Sequence, residues 1–317
     1  MPSVAILMRL RPAFGLCVVI AGLAWSCFGE AATLRVGPGE HFRGVAEAAL
    51  AAKSGDTVLI DEGTYRACAV WQADGLTIRG LGTGALFDGQ VCDDKAIFVV
   101  KGRNVTIANI HFMNAHSSDG NGAGIRAEGR NLVVKDDTFR ADEDGILSDN
   151  DIDNAIIVSN STFQHDGACE AGGCAHGIYA GRIAHLKVEN CRFFDTQTGH
   201  AIKSRALKTE VLDSTIKDGA NGTSSYLIDI PNGGTLLIAG NILEKGPRSE
   251  NHSAAISIGE ERHLLQSSGI AVLDNAMTND GPPTVFVRNE SDTPAQLRGN
   301  AIRGAVRNIL VGRGVVH

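Results

Sequence analysis

Eight ionisable or hydroxyl-bearing residues recur at matching places in successive repeats of this chain: Asp144, His176, Tyr179, His200, Lys203, Arg205, Tyr226 and Asp229. Such a set could hold an anionic group, take a proton from the carbon beside it, and return a proton to a leaving oxygen. Each residue alone has an ordinary structural use. A single His is more often a hydrogen-bonded turn residue than a base, and a single Lys is usually a solvated charge. Their convergence is what points to chemistry. Lys203 and Arg205 stand at i, i+2, hence on one face of an extended strand. A like charge so near favours a neutral amine, which makes Lys203 the candidate base. Arg205 or His200 would hold the anion. Tyr226 or Tyr179 would pass the proton, with His176 on the same wall.

Register is what must bring these residues together, and a recurring phrase supplies it. An aliphatic residue, a gap, an Asn, Asp or Gly, then an aromatic or aliphatic reads Ile107-x-Asn109-x-x-Phe112 and Val134-x-Asp136-x-x-Phe139. It continues at Val158-x-Asn160-x-x-Phe163 and Val188-x-Asn190-x-x-Phe193, with weaker copies centred on Asp213, Gly240, Asp274 and Gly299. Repetition at this period is the mark of a stacked solenoid. The phrase reads as one strand of each coil. A second strand is centred on Ile125, Ile146, Ile178, Ile202, Ile228 or Ile256. Strands this short and this far apart cannot form hairpins, so each pairs with its equivalent one coil later, about 4.8 Å away. Parallel crossovers are right-handed almost without exception. The expected fold is therefore all-β: a right-handed parallel β-helix of about ten coils. The Asn/Asp column fits its corners, where short polar side chains tolerate the left-handed bend.

Boundaries follow from composition. Residues 1–31 read as an export signal: Arg9 and Arg11, an apolar run over 13–27 too short for a confident membrane span, then Gly29-Glu30-Ala31 at a cleavage point. Residues 32–74 form an N-terminal cap and first coil, with Val45, Ala48, Ala49 and Ala52 on one face of a short helix; residues 75–317 form the β-helix. The mature chain is expected outside the cytoplasm, in the periplasm or secreted, as a monomer with no membrane span. Of its cysteines, Cys169 with Cys174 and Cys68 with Cys92 are placed to close disulfides, leaving Cys191 as the odd thiol. A net charge of −7 argues against nucleic acid as a partner. Aromatics at 5% against 38 glycines suit short strands and tight turns better than a large globular core. Two longer spacings, 165–173 and 244–266, read as loops on one face, where solenoids bind.

The stretches His176-Gly177-Ile178-Tyr179, Gly199-His200-Ala201-Ile202-Lys203-Ser204-Arg205-Ala206 and Ser225-Tyr226-Leu227-Ile228-Asp229-Ile230-Pro231-Asn232 resemble a family of secreted bacterial right-handed parallel β-helix repeat proteins in the pectin-lyase-like superfamily. Gly240-Asn241, Gly246-Pro247, Asn251 and Gly259-Glu260 fit as well. The resemblance covers the mature chain and implies a polysaccharide or oligosaccharide partner. Candidate substrate-binding residues are Tyr179, Asp229, Asn232, Asn251 and Glu260. Lyase-type β-elimination on an acidic polysaccharide is the leading expectation, with Lys203, Arg205, His200, His176 and Tyr226 as the catalytic set. Superfamily lyases often use Ca²⁺; Asp144 and Asp149, in an acidic run, would supply hard oxygen ligands. A glycoside hydrolase is the alternative, requiring two carboxyls among Asp144, Asp149, Asp229 and Glu260. Ala175-His176-Gly177 and Lys203-Ser204-Arg205 only echo the superfamily's hydrolase motifs. A non-catalytic polysaccharide-binding solenoid is the third reading.

Overall fold

The computed structural model describes Pro2 and residues 31–317 except 171, 172 and 262. The expected export segment lies outside the described residues, save Pro2 and Ala31. Its corners explain the architecture. Asn109, Asp136, Asn160, Asn190, Asp213 and Asp274 all have φ between 47° and 60°, the left-handed conformation. Gly240 and Gly299 make the same bend at 70° and 68°, where a missing Cβ removes the strain. Because each bend turns the chain, the recurring phrase is two strands rather than one. Val134 belongs to Leu132–Lys135 and Phe139 to Thr138–Arg140, with Asp136 between them. The sequence reading missed this because the phrase is centred on the corner.

Most coils therefore carry three strands, in about 11 turns. One ladder is a 12-stranded parallel sheet from Thr33–Val36 to Gly314–Val316. A second carries the phenylalanines, running through Ile110–Met113, Thr138–Arg140, Thr162–Gln164 and Arg192–Phe194. A third runs through Ala96–Val100, Ala123–Ala127, Asp144–Ser148, Ile178–Ala180, His200–Ser204, Tyr226–Ile230 and Ile256–Ile258. In the last coils the second and third ladders merge, because Ala276–Asn289 and Ala301–Gly312 are long enough to serve both. Ile125, Ile146, Ile178, Ile202, Ile228 and Ile256 stand opposite one another through the third ladder and are all fully buried.

Identical neighbours at one coil spacing stack by necessity. Phe139 and Phe163 lie 4.6 Å apart at 8°, and Phe163 and Phe193 4.5 Å apart at 5°. The few aromatics are thus concentrated in one buried column, where each ring removes a large apolar area from water. At the N-terminal end, helix Val45–Ala51 buries Val45, Ala48 and Ala49 and packs on Ala69–Trp71 and Thr33–Val36. Disulfides join Cys68 to Cys92 and Cys169 to Cys174. Cys191 is free and buried, and burial pushes its thiol up to about 11, so it is inert as a nucleophile. No helix among the described residues is long and apolar enough to cross a membrane.

The residue after each corner points inward and must satisfy backbone. Ser214 Oγ accepts Cys191 N–H (3.0 Å), Asn241 Oδ1 accepts Ser214 N–H (2.9 Å) and Asn275 Oδ1 accepts Asn241 N–H (3.0 Å). Asn241 Nδ2 in turn donates to the Val211 carbonyl at 2.9 Å. Asp137 holds the same place and accepts Ile110 N–H at 2.6 Å. Its Oδ2 is buried without a partner, and burial holds the carboxyl well above the ordinary carboxylate range. The folded chain therefore keeps a proton here that the unfolded chain releases above about pH 4. The stability this site contributes falls as pH rises toward the folded pKa. Asp137→Asn cannot titrate and can donate Nδ2 as Asn241 does. We expect it to raise stability at pH 8 by about 1 kcal/mol, with a smaller gain at pH 4, in thermal unfolding at both pH values. A variant less stable than the parent at pH 8 contradicts this account.

Candidate functional site

The third ladder turns one face to solvent, and its register fixes which side chains meet. Leu147, Tyr179, Lys203, Asp229, Ser257 and Arg288 stand opposite one another in successive coils. Beside them runs a second column. The rings of His176 and His200 stack at 4.8 Å and 7°, those of His200 and Tyr226 at 5.2 Å and 20°. Each member receives backbone from the next coil: Asp144 Oδ1 accepts His176 N–H (2.7 Å), His176 Nδ1 accepts His200 N–H (3.0 Å), and His200 Nδ1 accepts Tyr226 N–H (3.1 Å). An Nδ1 that accepts carries no proton, so both imidazoles are neutral with hydrogen on Nε2. Burial, with the Lys203 charge, lowers His200 to about 3. Burial and the neighbouring His200 push His176 well below its usual range. His200 is thus a neutral N–H donor.

Asp229 forms the floor. It is fully buried, with His200 Nε2 at 3.3 Å and Lys203 Nζ at 3.5 Å from Oδ2. Neither contact has hydrogen-bond geometry, so both carboxyl oxygens lack a hydrogen-bond partner among the described residues. Burial raises Asp229 from 3.8 to about 7, against the pull of Lys203. Tyr226 is nearly buried and donates its hydroxyl to Glu260 Oε2 at 2.9 Å, which also accepts Ser257 Oγ at 3.1 Å. Lys203, His200, Tyr226, Asn251 and Glu260 line a cavity of about 580 Å³, with Asp229 buried behind Lys203. Both long-spacing loops reach it: one wall is the small antiparallel pair closed by Cys169–Cys174, another is Glu250 and Asn251.

Arg205 is engaged elsewhere. Its guanidinium forks onto both oxygens of Glu261 (2.7 Å from Nη2 to Oε1) and donates to Asn232 Oδ1 and the Tyr179 hydroxyl, each at 3.1 Å. Such bidentate pairing is strong and orienting, so Arg205 is not the free carboxylate clamp the sequence suggested. Asn232 braces Arg205, and Asn251 braces Ser225 through Oγ at 3.1 Å. The expected Ca²⁺ pair is not brought together. Asp144 is buried at the start of strand Asp144–Ser148, and burial keeps its carboxyl well above the usual range. Asp149 lies five residues on, roughly 16 Å along an extended chain, and is bound by Arg126 at 2.7 Å. Among the described residues no three His, Cys, Asp or Glu converge on a metal position.

No family model matches the sequence, and no curated relative matches it. Solved structures do match. The alginate lyase from Paenibacillus sp. str. FPU-7 superposes with a TM-score of 0.64 at 16% identity, covering 89% of this chain and 99% of that one. Pectate lyase Pel9A gives 0.60 at 14% identity over 89% and 78%. The fold is a parallel β-helix like that of these two lyases. At these identities the likeness is one of fold, and the chemistry of this parallel β-helix must be argued from its own cavity.

Two residues near the site escaped the sequence reading. Glu261 was hidden because its partner Arg205 lies 56 positions away. Lys245 carried a signal: it follows inward-facing Leu243 at i+2 in strand Ile242–Lys245, so it too must point inward. It is 1% exposed. Its Nζ donates to the carbonyls of Ser225 (2.6 Å) and Ser224 (3.2 Å), the residues leading into Tyr226, and lies 3.8 Å from Asp218 Oδ2. Burial lowers it to about 8. Lys245→Met leaves Asp218 buried without its cation, and we expect a loss of about 3 kcal/mol in urea unfolding. A loss under about 1 kcal/mol would mean the pair is not what holds this segment.

Proposed function

We propose that this chain is a carbohydrate-active β-helix protein, acting outside the cytoplasm on an acidic polysaccharide by β-elimination. One observation carries the reading: coil register sets Lys203, His200 and Tyr226 around a single cavity, with the buried Asp229 carboxyl 3.5 Å behind Lys203 and its pKa raised to about 7. Two disulfides suit an oxidising compartment. The likeness to an alginate lyase and a pectate lyase supports the fold half of the argument.

Elimination from a uronate breaks the C–H bond beside the carboxylate. Its electron pair becomes a carbon–carbon double bond as the glycosidic C–O bond breaks, and the departing oxygen takes a proton. Lys203 is the base in its neutral amine form, its Nζ standing above the buried Asp229. Asp229, 3.5 Å behind it, receives the proton in relay. The Nε2–H of His200 donates to the substrate carboxylate, and a neutral donor in a sheltered site stabilises the charge that builds there. Tyr226 gives its hydroxyl proton to the departing oxygen. Burial raises the phenol's pKa, so the resting hydroxyl keeps its proton until that moment. Return of the relayed proton to Tyr226 closes the cycle without net charge.

A hydrolase reading has one observation in its favour. Asp229 can be protonated near neutrality, as a general acid must be, and Glu260 offers a second carboxyl beside it. Elimination leaves a conjugated double bond and hydrolysis does not. On a panel of uronate polymers we expect ultraviolet-absorbing product to accumulate. Lys203→Ala should cut its rate by about 10²–10⁴-fold. New reducing ends without the chromophore would establish hydrolysis. Binding without turnover, unchanged in Lys203→Ala, would establish a binding module.

The relay also sets a pH dependence. Asp229 must be ionised to accept the proton, so activity should climb as pH rises through about 7. Asp229→Asn should abolish that limb of the profile together with most of the rate. An unchanged limb in the variant removes Asp229 from the mechanism.

A further inference from the structure

Across a ridge from the Lys203 cavity lies a second one of about 630 Å³, lined by Asn150, Arg182, Arg205, Asn232, Glu261 and His263 together with two leucines. The two cavities are neighbours by construction. Lys203 and Arg205 stand at i, i+2 at the end of one strand, with side chains on the same face roughly 6.6 Å apart, and each lines one cavity. Glu260 and Glu261 repeat the division in consecutive residues. A polymer unit seated over Lys203 therefore has its next unit directed into this second space.

We propose that the second cavity is a binding subsite for an acidic sugar unit, its carboxylate held by Arg182 beside the Arg205–Glu261 pair. The proposal rests on the acidic-polysaccharide reading above and adds the residues that select for a charged neighbour. Charge favours it. Two guanidiniums face one carboxylate, that of Glu261, and Arg182 takes part in no ion pair among the described residues, whereas Arg126, Arg130 and Arg205 do. Arg182 is exposed at the rim, but its backbone is fixed, with its N–H on Asn150 Oδ1 at 2.6 Å. The Arg205 fork is taken by Glu261, which leaves Arg182 as the guanidinium open to a ligand. The amides of Asn150 and Asn232 offer donors and acceptors for sugar hydroxyls. Leu264 and Leu265 give an apolar surface for a ring face.

The wall is built in advance. Glu261 N–H donates to the Pro231 carbonyl at 2.9 Å and Leu265 N–H to the Asn232 carbonyl at 2.8 Å. Glu261 and Leu265 are thus held before any ligand arrives, which lowers the ordering cost of binding against them.

The test is binding by calorimetry to the full chain carrying Lys203→Ala, which suppresses turnover. The probes are a uronide tetramer, the uronide monomer and the methyl-esterified tetramer. Adding Arg182→Ala should weaken the acidic tetramer about 10-fold or more and leave the esterified tetramer unchanged. An equal loss for both tetramers, or none for the acidic one, overturns the subsite while leaving the acidic-polysaccharide reading intact. If the Lys203→Ala chain binds no acidic tetramer at all, that reading fails and takes the subsite with it. Arg182 is exposed, so a normal unfolding curve for the variant is expected and separates lost binding from lost structure.

Discussion

The parallel hydrogen-bonded ladder is the constraint on which this molecule depends. Each strand finds its partner one coil later, about 4.8 Å away, and no side chain can escape the neighbour that register assigns to it. Favourable repetition is amplified: phenylalanines become a stack, asparagines a hydrogen-bonded column, isoleucines a continuous core. Unfavourable repetition must be broken. That is why charged positions in the outward column alternate in sign, Lys203 meeting Asp229. The left-handed corners keep the register, since one misplaced bend would turn every following side chain to the wrong face.

The cavity uses the same bonds for a second purpose. Three side chains of one column, Asp144, His176 and His200, accept the backbone N–H of the next coil. Their ring orientation and tautomer are set by main chain, independently of any ligand. His200 reaches the cavity with its Nε2–H already aimed, so little reorganisation remains when charge develops. Beneath it, Asp229 is buried without a hydrogen-bond partner among the described residues, and the rise in its pKa from burial is the local cost of a group poised near neutrality. Lys245 fixes the entry to Tyr226 from below. Folding and positioning are here one set of contacts.

What could be read from the chain follows from where each signal lies. Corners were legible because the left-handed bend admits few residue types, and Asn109, Asp136, Asn160 and Asn190 advertise it. Their two-strand character was not, since the phrase spans the bend. The outward column of Tyr179, Lys203 and Asp229 was legible from parity alone. Arg205's commitment to Glu261 was hidden because the partner arrives from a loop whose path no periodicity encodes. The neutrality of His200 was hidden too, for it depends on an N–H donated by the following coil. Strand parity can place a side chain; it does not say what that side chain has already bonded.

The two ends of the stack differ. A helix lies over the first coils, while the final strands, Ala301–Gly312 and Gly314–Val316, are largely exposed, with Ile309, Val315 and Val316 each at least 40% accessible. A bare ladder edge is a template on which another chain could continue the sheet. Exposed Arg303, Arg307 and Arg313 line this one. A second copy laid edge to edge on it would bring like charges together at coil distance. Repulsion of that kind opposes edge-to-edge growth, and added salt weakens it.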